Sequence, residues 1–294
     1  MFDQNCHLIF ATNFSDACHA AIPAVARWVD QLHCRLTILH VYDPEKLLYR
    51  DAERLLNSFF AEANNYPACD RVLISGDAAE GIAAYCRKQS NALLLLPPTD
   101  QAGLPRPWHK SLRAQMLKRL DIPVWTLGRT MVGSPMPLAA GHLAVLMRTP
   151  EEGTAHLRQA ARYAARTGAT LHLLHVLPEI DERTLTHTID SGAPLGLETA
   201  THWMNEMAEC LEPVERLQVH IERGSLRKQL PELMHRTGAD LLIANRESFV
   251  APGWLGPSIS RAFRSLRTGI LAIPHTPASS SNPDLQRAVS AVIS

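Results

Sequence analysis

Residues 8–12, Leu-Ile-Phe-Ala-Thr, and residues 36–41, Leu-Thr-Ile-Leu-His-Val, are short apolar runs with a helix-period stretch between them. The same order returns at residues 143–147, Leu-Ala-Val-Leu-Met, and 171–176, Leu-His-Leu-Leu-His-Val. Short apolar runs that alternate with helical patterns are typical of buried strands in a parallel sheet. The chain therefore contains an internal duplication.

The duplication extends to the last strand of each copy. A third strand ends at a glycine in both copies, a fourth is continuously apolar, and a fifth closes each copy. These pairs are residues 71–76 with 218–224, 91–96 with 239–244, and 122–127 with 269–274. The pattern of each copy predicts a Rossmann-like, doubly wound α/β domain with a five-stranded parallel sheet. The predicted domains are 1–130 and 142–276, joined by a linker at 131–141 and followed by a tail at 277–294.

Composition and charge narrow the functional classes. The 294 residues include 29 Lys+Arg and 29 Asp+Glu, so the net charge of zero gives no reason to expect a nucleic-acid partner. No apolar run approaches the roughly 18–20 residues that cross a bilayer. The N-terminus has no signal-peptide pattern, and the six cysteines contain no Cys-x-x-Cys pair. We expect a cytoplasmic protein with reduced thiols and no membrane span.

The motif inventory predicts no catalytic residues and no metal site. The sequence lacks His-Glu-x-x-His, Gly-x-Ser-x-Gly, Gly-x-Gly-x-x-Gly and the P-loop motif. His172 and His175 lie three apart on one predicted strand, so their side chains point to opposite faces. His40 and His175 occupy matching strand ends, which favours a role in the shared fold. Ser15 and Asp16 are interpreted as a helix N-cap and a first-turn acid.

The ordered set of motifs resembles a known family. A strand followed by Ala-Thr-Asn-Phe-Ser, a strand ending Leu-His-Val, a glycine-terminated strand, a buried strand after Ala-Asp and a closing Ile-Pro-Val-Trp strand are similar to universal stress proteins. The likeness covers nearly the whole chain, as two such domains in tandem. It implies an adenine-nucleotide alpha hydrolase-like fold around a pseudo-two-fold axis, with the last strands of the two copies paired.

The resemblance also implies a ligand site. In nucleotide-binding members, an Asp after the first strand and a Val ending the second frame adenine and ribose, and a glycine-rich loop after the fourth strand binds the phosphates. The corresponding residues here are Asn13 and Val41 in copy one. In copy two they are Val176 and Arg148, or Thr149 in place of Arg148 if the corner shifts by one residue. Proline lacks the N–H that a phosphate loop requires, and residues 97–107 contain four prolines and one glycine. We therefore expect that copy one does not bind ATP.

The loop of copy two, residues 245–258, keeps the end of the family pattern. Gly253, Gly256 and Ser258 are its candidate ligand-binding residues, and two interpretations stay open for this segment: an anion site and an ordinary helix cap. Four tryptophans either pack over their own crevices or line a ligand pocket. They are Trp108, Trp125, Trp203 and Trp254.

These observations predict a non-catalytic stress-response factor that is an internal pseudo-dimer and binds ATP weakly or not at all. One alternative is a nucleotide-binding switch with slow ATP hydrolysis. Another is a sensor of a small molecule, such as a nucleotide sugar or a lipid-like ligand, in a remodelled crevice of copy two. The expected partner is a small molecule, and the expected state is a monomer with an internal pseudo-dimer or a homodimer.

Overall fold

The computed structural model describes residues 6–97, 112–127, 141–149, 154–178, 196–211, 214–246, 266 and 268–274. Within them, ten strands and seven α-helices form an α/β fold, as the sequence predicts. The strands are β1 (His7–Ala11), β2 (Arg35–Tyr42), β3 (Cys69–Ser75), β4 (Ala92–Leu96), β5 (Val124–Thr126), β6 (His142–Leu146), β7 (Thr170–Leu177), β8 (Leu217–Arg223), β9 (Leu241–Asn245) and β10 (Gly269–Ile273). The helices are α1 (Asp16–Leu32), α2 (Tyr49–Ser58), α3 (Ala78–Cys86), α4 (Leu112–Arg119), α5 (Ala155–Thr167), α6 (Leu197–Glu209) and α7 (Leu226–Thr237), with a 3₁₀ helix at Ala61–Asn65.

The strand order in the first compact unit, unit 1, is β3-β2-β1-β4-β5-β10, and in the second, unit 2, it is β9-β6-β7-β8. The pairs β1–β2, β1–β4, β2–β3 and β4–β5 are parallel, as are β6–β7, β6–β9 and β7–β8. The exception is β5 with β10, which is antiparallel, with Trp125 opposite Leu271. The sheet is therefore mostly parallel, and the predicted doubly wound fold class is confirmed.

Two compact units divide the chain. Unit 1 comprises Met1–Met136 and Arg267–Ala272, and unit 2 comprises Pro137–Leu266 and Ile273–Ser294. Most of β10 belongs to unit 1 because it pairs with β5. This assignment differs from the predicted domain 142–276, which keeps β10 in the second half.

The registers of the two units correspond residue by residue. Leu8 pairs with Leu36 in unit 1, and Leu143 pairs with Leu171 in unit 2. Gly76 follows β3 with a φ of 126°, and Gly224 follows β8 with a φ of 139°. Side chains rarely adopt this backbone conformation, which explains the glycine at both strand ends. Each of these glycines donates its N–H to the end of the neighbouring strand, Tyr42 O at 2.9 Å and Leu177 O at 2.8 Å.

The core forms because both faces of the sheet are covered. All residues of β1, β4, β9 and β10 are buried, as continuous apolar runs require. In unit 1, Trp28 of α1 stacks on Trp125 of β5 with ring centroids 3.8 Å apart. Trp125 is therefore a core residue and not part of a ligand pocket. The sequence analysis did not predict α2 or the 3₁₀ helix, which connect β2 to β3.

None of the helices in the part of the chain that the structure describes is both long enough and apolar enough to span a bilayer.

The helix ends after α1 and α5 provide a stability test. His33 ends α1 in the left-handed conformation with a φ of 51°, and Gly168 ends α5 in the same way with a φ of 68°. A Cβ at Gly168 would meet no atom within 4 Å, so Gly168→Ala carries only the backbone cost. We expect Gly168→Ala to lower the free energy of unfolding by about 1 kcal/mol. The reciprocal change, His33→Gly, should raise it by a smaller amount. Urea unfolding of both variants measures these changes in the free energy of unfolding. Changes of the same sign in the two variants would contradict this account.

Candidate functional site

A buried histidine connects the carboxyl ends of the first two strands in unit 1. The Nδ1 of His40 in β2 is 2.8 Å from the carbonyl oxygen of Thr12, the residue that follows β1. The carbonyl oxygen can only accept, so Nδ1 carries the proton and donates it. The corresponding bond in unit 2 joins His175 Nδ1 to Met147 O, also at 2.8 Å. We call these two bonds the strand-end tethers. They give both histidines the shared structural role that their matched positions predict.

Burial favours the neutral form of both tether histidines. Burial lowers the pKa of His40 below the usual range, and it also lowers that of His175, which is more completely buried. Their Nε2 atoms are buried and have no hydrogen-bond partner among the described residues. The proton on Nδ1 leaves Nε2 as an unprotonated acceptor. The ring of His175 also contacts Trp203 of α6 edge-on, with centroids 5.2 Å apart, so Trp203 packs in the core of unit 2.

Asn13 lies next to the tether of unit 1 and is already engaged. Its Oδ1 accepts from the backbone N–H of Ser15 at 3.2 Å and from Cys18 Sγ at 3.1 Å. Ser15 occupies the N-cap position of α1 and Asp16 its first turn, as predicted, but the Ser15 side chain makes no cap bond. The side chain of Asn13 thus organises the start of α1.

Phe14 covers the neighbouring strand ends in unit 1. It has a φ of 61°, an uncommon conformation for a bulky side chain. Its ring lies 4.2 Å from that of His40 and 5.5 Å from that of Phe59. His19 of α1 adds an edge contact to Phe59 at 4.8 Å. An aromatic cluster therefore occupies the end of β1 and β2 beside Asn13.

Val41 packs against α3. A Cβ added to Gly81 would lie 3.0 and 3.1 Å from the two methyl groups of Val41, so the glycine permits close approach of helix and strand. At the matching position on β7, Val176 is half-buried.

The residue that follows the tether in unit 2 is Arg148. It comes directly after Met147 and is half-buried, as is Thr149. Burial lowers the pKa of His175 most, the bond to Met147 O opposes this shift, and the charge of Arg148 lowers the pKa further. The structure thus places Arg148 and Val176 at the carboxyl end of the sheet of unit 2, where the sequence predicts a ligand site. Gly253, Gly256, Ser258, Trp108, Trp254 and most of both predicted phosphate loops lie outside the described residues.

Among the residues described, no group of three His, Cys, Asp or Glu side chains is arranged to hold a metal ion. Sequence reasoning missed three elements near the strand ends: the tether bonds, the aromatic cluster and the contact between Val41 and Gly81. The matched Leu-His-Val ends are the one signal that pointed to the tethers.

The comparisons with known proteins agree with this architecture. Residues 142–258 match the model of the universal stress protein family, so the second half of the chain contains a universal stress protein domain. No protein of curated function matches the chain.

Solved structures match nearly the full length. A universal stress protein from Archaeoglobus fulgidus superposes with a TM-score of 0.64 at 15% identity, covering 94% of this chain and 99% of that one. A putative universal stress protein from Pseudomonas aeruginosa gives 0.60 at 14% identity, covering 99% and 97%. A functionally unknown protein from Pseudomonas aeruginosa gives 0.59 at 14% identity, covering 98% of each chain. At these identities the likeness shows the fold.

The tether of unit 2 predicts a specific pH response. His175→Phe keeps a ring in the core but removes the donor to Met147 O, which should cost about 1–3 kcal/mol of unfolding free energy at neutral pH. Because folding lowers the pKa of His175, the neutral ring stabilises the wild type above the unfolded pKa of 6.5, and this contribution is lost as pH falls. The gap between wild type and variant should therefore narrow on acidification. Urea unfolding of both proteins, from neutral pH to below pH 6.5, measures this difference in unfolding free energy. His202→Gln, at a side chain 73% exposed, is the control and should change little. A gap that widens below pH 6.5 would contradict the neutral assignment.

Gly81→Ala tests the contact between α3 and β2. Alanine improves helix propensity by about 1 kcal/mol, but its Cβ would crowd Val41 and lie 3.3 Å from Ile74. Overpacking costs about 1–3 kcal/mol, so we expect net destabilisation. In a Val41→Ala background the crowding by the Val41 methyl groups disappears, so Gly81→Ala should be less destabilising there than in the wild type. The four unfolding free energies form a double-mutant cycle, and a coupling near zero would refute the contact.

Proposed function

We propose that the chain is a tandem universal stress protein: a non-catalytic stress-response factor that is an internal pseudo-dimer and binds ATP weakly or not at all. The observation that carries the proposal is the recurrence of the strand-end tether. His40 to Thr12 and His175 to Met147 have the same length, ring nitrogen and place in the register. This recurrence supports a second domain of the same family at residues 1–130, outside the segment that the family model matches.

The contacts of unit 1 support the proposal that this unit does not bind a nucleotide. Asn13 stands where nucleotide-binding relatives carry a charged Asp, and its side-chain oxygen already accepts two hydrogen bonds. An amide oxygen has two lone pairs, so this atom is saturated. The ring of Phe14 packs on His40 and Phe59 over the neighbouring strand ends. A ligand entering there would have to displace an aromatic cluster.

A second candidate function is favoured by one residue of unit 2. Arg148 follows β6 at the carboxyl end of the sheet, where ligands bind in open α/β folds. A guanidinium pairs with two oxygens of a phosphate or carboxylate at once. The half-buried position of Arg148 would strengthen such a pair relative to one in bulk water. In this function unit 2 is a sensor of a small anionic ligand, and Val176 forms the apolar floor of the site.

Ligand screening by thermal shift, followed by calorimetry of hits, separates the two candidates. For a stress factor without a ligand, neither ATP, nor a nucleotide sugar, nor an acyl ligand should stabilise the protein. For a sensor, one anionic class should stabilise it by about 2.7 kcal/mol at 100 times its Kd. Arg148→Ala should reduce that gain, whereas Arg158→Ala, at an exposed position on α5, should not.

The same screen tests unit 1. Asn13→Arg changes the candidate nucleotide position of unit 1 without touching unit 2, so it should leave every ligand response unchanged. Tight ATP binding that Asn13→Arg abolishes would overturn the proposal for unit 1. Native mass spectrometry of freshly purified protein identifies any bound molecule, and a phosphate-release assay with ATP tests the proposed lack of hydrolysis.

A further inference from the structure

Three histidines from adjacent strands form a continuous hydrogen-bonded row in unit 2. His142 begins β6, His172 lies in β7 and His220 lies in β8. The Nδ1 of His142 is 2.8 Å from Nε2 of His172, and the Nδ1 of His172 is 3.0 Å from Nε2 of His220. Both neighbouring ring pairs have centroids 5.1 Å apart. We call these three side chains the imidazole row.

The row is separate from the candidate ligand site. His172 and His175 lie three residues apart on β7, so their side chains point to opposite faces of the sheet. His175 contacts Trp203 of α6, and the imidazole row therefore lies on the face of the sheet opposite to α6. Helix α7 packs against β6, β7 and β8. His142 is the first residue of its strand, whereas Arg148 follows the end of the same strand. The row is also not a three-ligand metal centre, because His172 directs its two ring nitrogens to different neighbours.

The fold does not require three imidazoles at these places. By register, His7 corresponds to His142, Thr37 to His172 and Val72 to His220. In unit 1 the Nε2 of His7 bonds the Thr37 hydroxyl at 2.7 Å, which in turn lies 3.4 Å from the Tyr85 hydroxyl. At these positions unit 1 thus has a hydrogen-bonded chain of one histidine and two hydroxyl groups. Unit 2 has two more imidazole rings than unit 1 at the same positions.

The number of protons that the row can hold follows from its two hydrogen bonds. Each bond holds one proton, and each of the two outer nitrogens holds one more, which gives four. Three neutral rings carry three protons, so one further proton enters without loss of a bond. A fifth proton would place two N–H groups against each other at one contact. The row therefore tolerates a first proton and breaks on a second.

We propose that the imidazole row is a proton-responsive element of unit 2, whose second protonation breaks a hydrogen bond between strands and loosens α7 from the sheet. The first added proton breaks no bond, and His142 is the exposed end of the row. The second must enter at or next to His172, which is 2% exposed and has no route to solvation without movement of the helix above it.

The charged groups around the row set its response. Asp240, which donates its backbone N–H to His142 O at 2.8 Å, is the acid near the exposed end. Glu222 on β8 pairs with Arg236 of α7 near His220. Burial, then the charge of Arg236, lowers the pKa of His220, while Glu222 opposes this shift. The other charged or titratable residues of α7 are exposed: Arg227, Lys228, Glu232 and His235.

The sign of the response follows from these pKa shifts. Burial, with the charges of His220 and His142, lowers the pKa of His172 to about 4. A histidine whose pKa falls on folding stabilises the protein above its unfolded value and loses that contribution as pH drops toward its folded value. Unit 2 should therefore lose stability from pH 6.5 downward, and the loss should be complete near pH 4.

The test compares the wild type with a variant that carries the residues of unit 1. His172→Thr combined with His220→Val reproduces Thr37 and Val72, and the exposed His235→Gln is the control. Hydrogen exchange of full-length, chelator-treated protein is followed for α7 at about pH 7.5 and about pH 5, corrected for intrinsic rates. In wild type and control, acidification should lower the protection of α7 at least about tenfold, the factor that one pKa unit of linked protonation gives. The double variant should show little change. Equal losses in wild type and double variant would overturn the proposal.

A second measurement needs no variant. Ring ¹⁵N shifts of the wild type report the protonation of each imidazole during an acid titration. We expect His172 to stay neutral in the folded protein until about pH 4, while the protection of α7 falls from pH 6.5 downward because the opened state takes up the second proton. A His172 ring that becomes charged near pH 6.5 while the protection of α7 stays unchanged would refute the proposal.

Discussion

Burial of both faces of a parallel sheet is the constraint on which the rest of the structure depends. Strands such as β1, β4, β9 and β10 have no solvent-facing side, so a polar side chain on a buried strand must find its partner within the layer. His40 and His175 each bond the main-chain carbonyl of the residue that directly follows the adjacent strand. His7 reaches a threonine hydroxyl, and His172 reaches two other imidazoles. Lateral hydrogen bonding across strands is the common solution to this constraint.

The ten strands of the described residues were predictable because short continuous apolar runs follow from burial on both faces of the sheet, whereas the helices α2 and α6 were not predicted. The helix-period stretch between the first two apolar runs forms the helix Asp16–Leu32, and its counterpart in the second half forms the helix Ala155–Thr167. The segment between β2 and β3 was missed because α2 has low mean hydropathy and buries only Ala52 and Leu56. A helix that contributes so few residues to the core leaves little apolar signal.

The candidate site was less predictable, since its properties depend on contacts between residues far apart in sequence. The family resemblance implies that Asn13 is the counterpart of an acid, but only the structure shows its oxygen bonded to Ser15 and Cys18. Phe14 reads as an ordinary corner residue until its ring is placed on His40 and Phe59. The imidazole row joins residues 30 and 48 positions apart, and no local pattern indicates that His142 and His220 both meet His172.

The differences between the two units lie where the shared fold leaves freedom. The tethers, the register and the glycines after β3 and β8 are the same in both, because they hold the strand ends together. Beside the tether, unit 1 has Phe14 in an aromatic cluster and unit 2 has the charged Arg148. Under α3, unit 1 has hydroxyl groups, and the corresponding face of unit 2 has imidazoles. A hydroxyl keeps its charge state at any physiological pH, whereas an imidazole changes it near neutrality. The same backbone position therefore has a fixed polarity in one unit and a titratable one in the other, which is a difference in chemistry that packing alone does not demand.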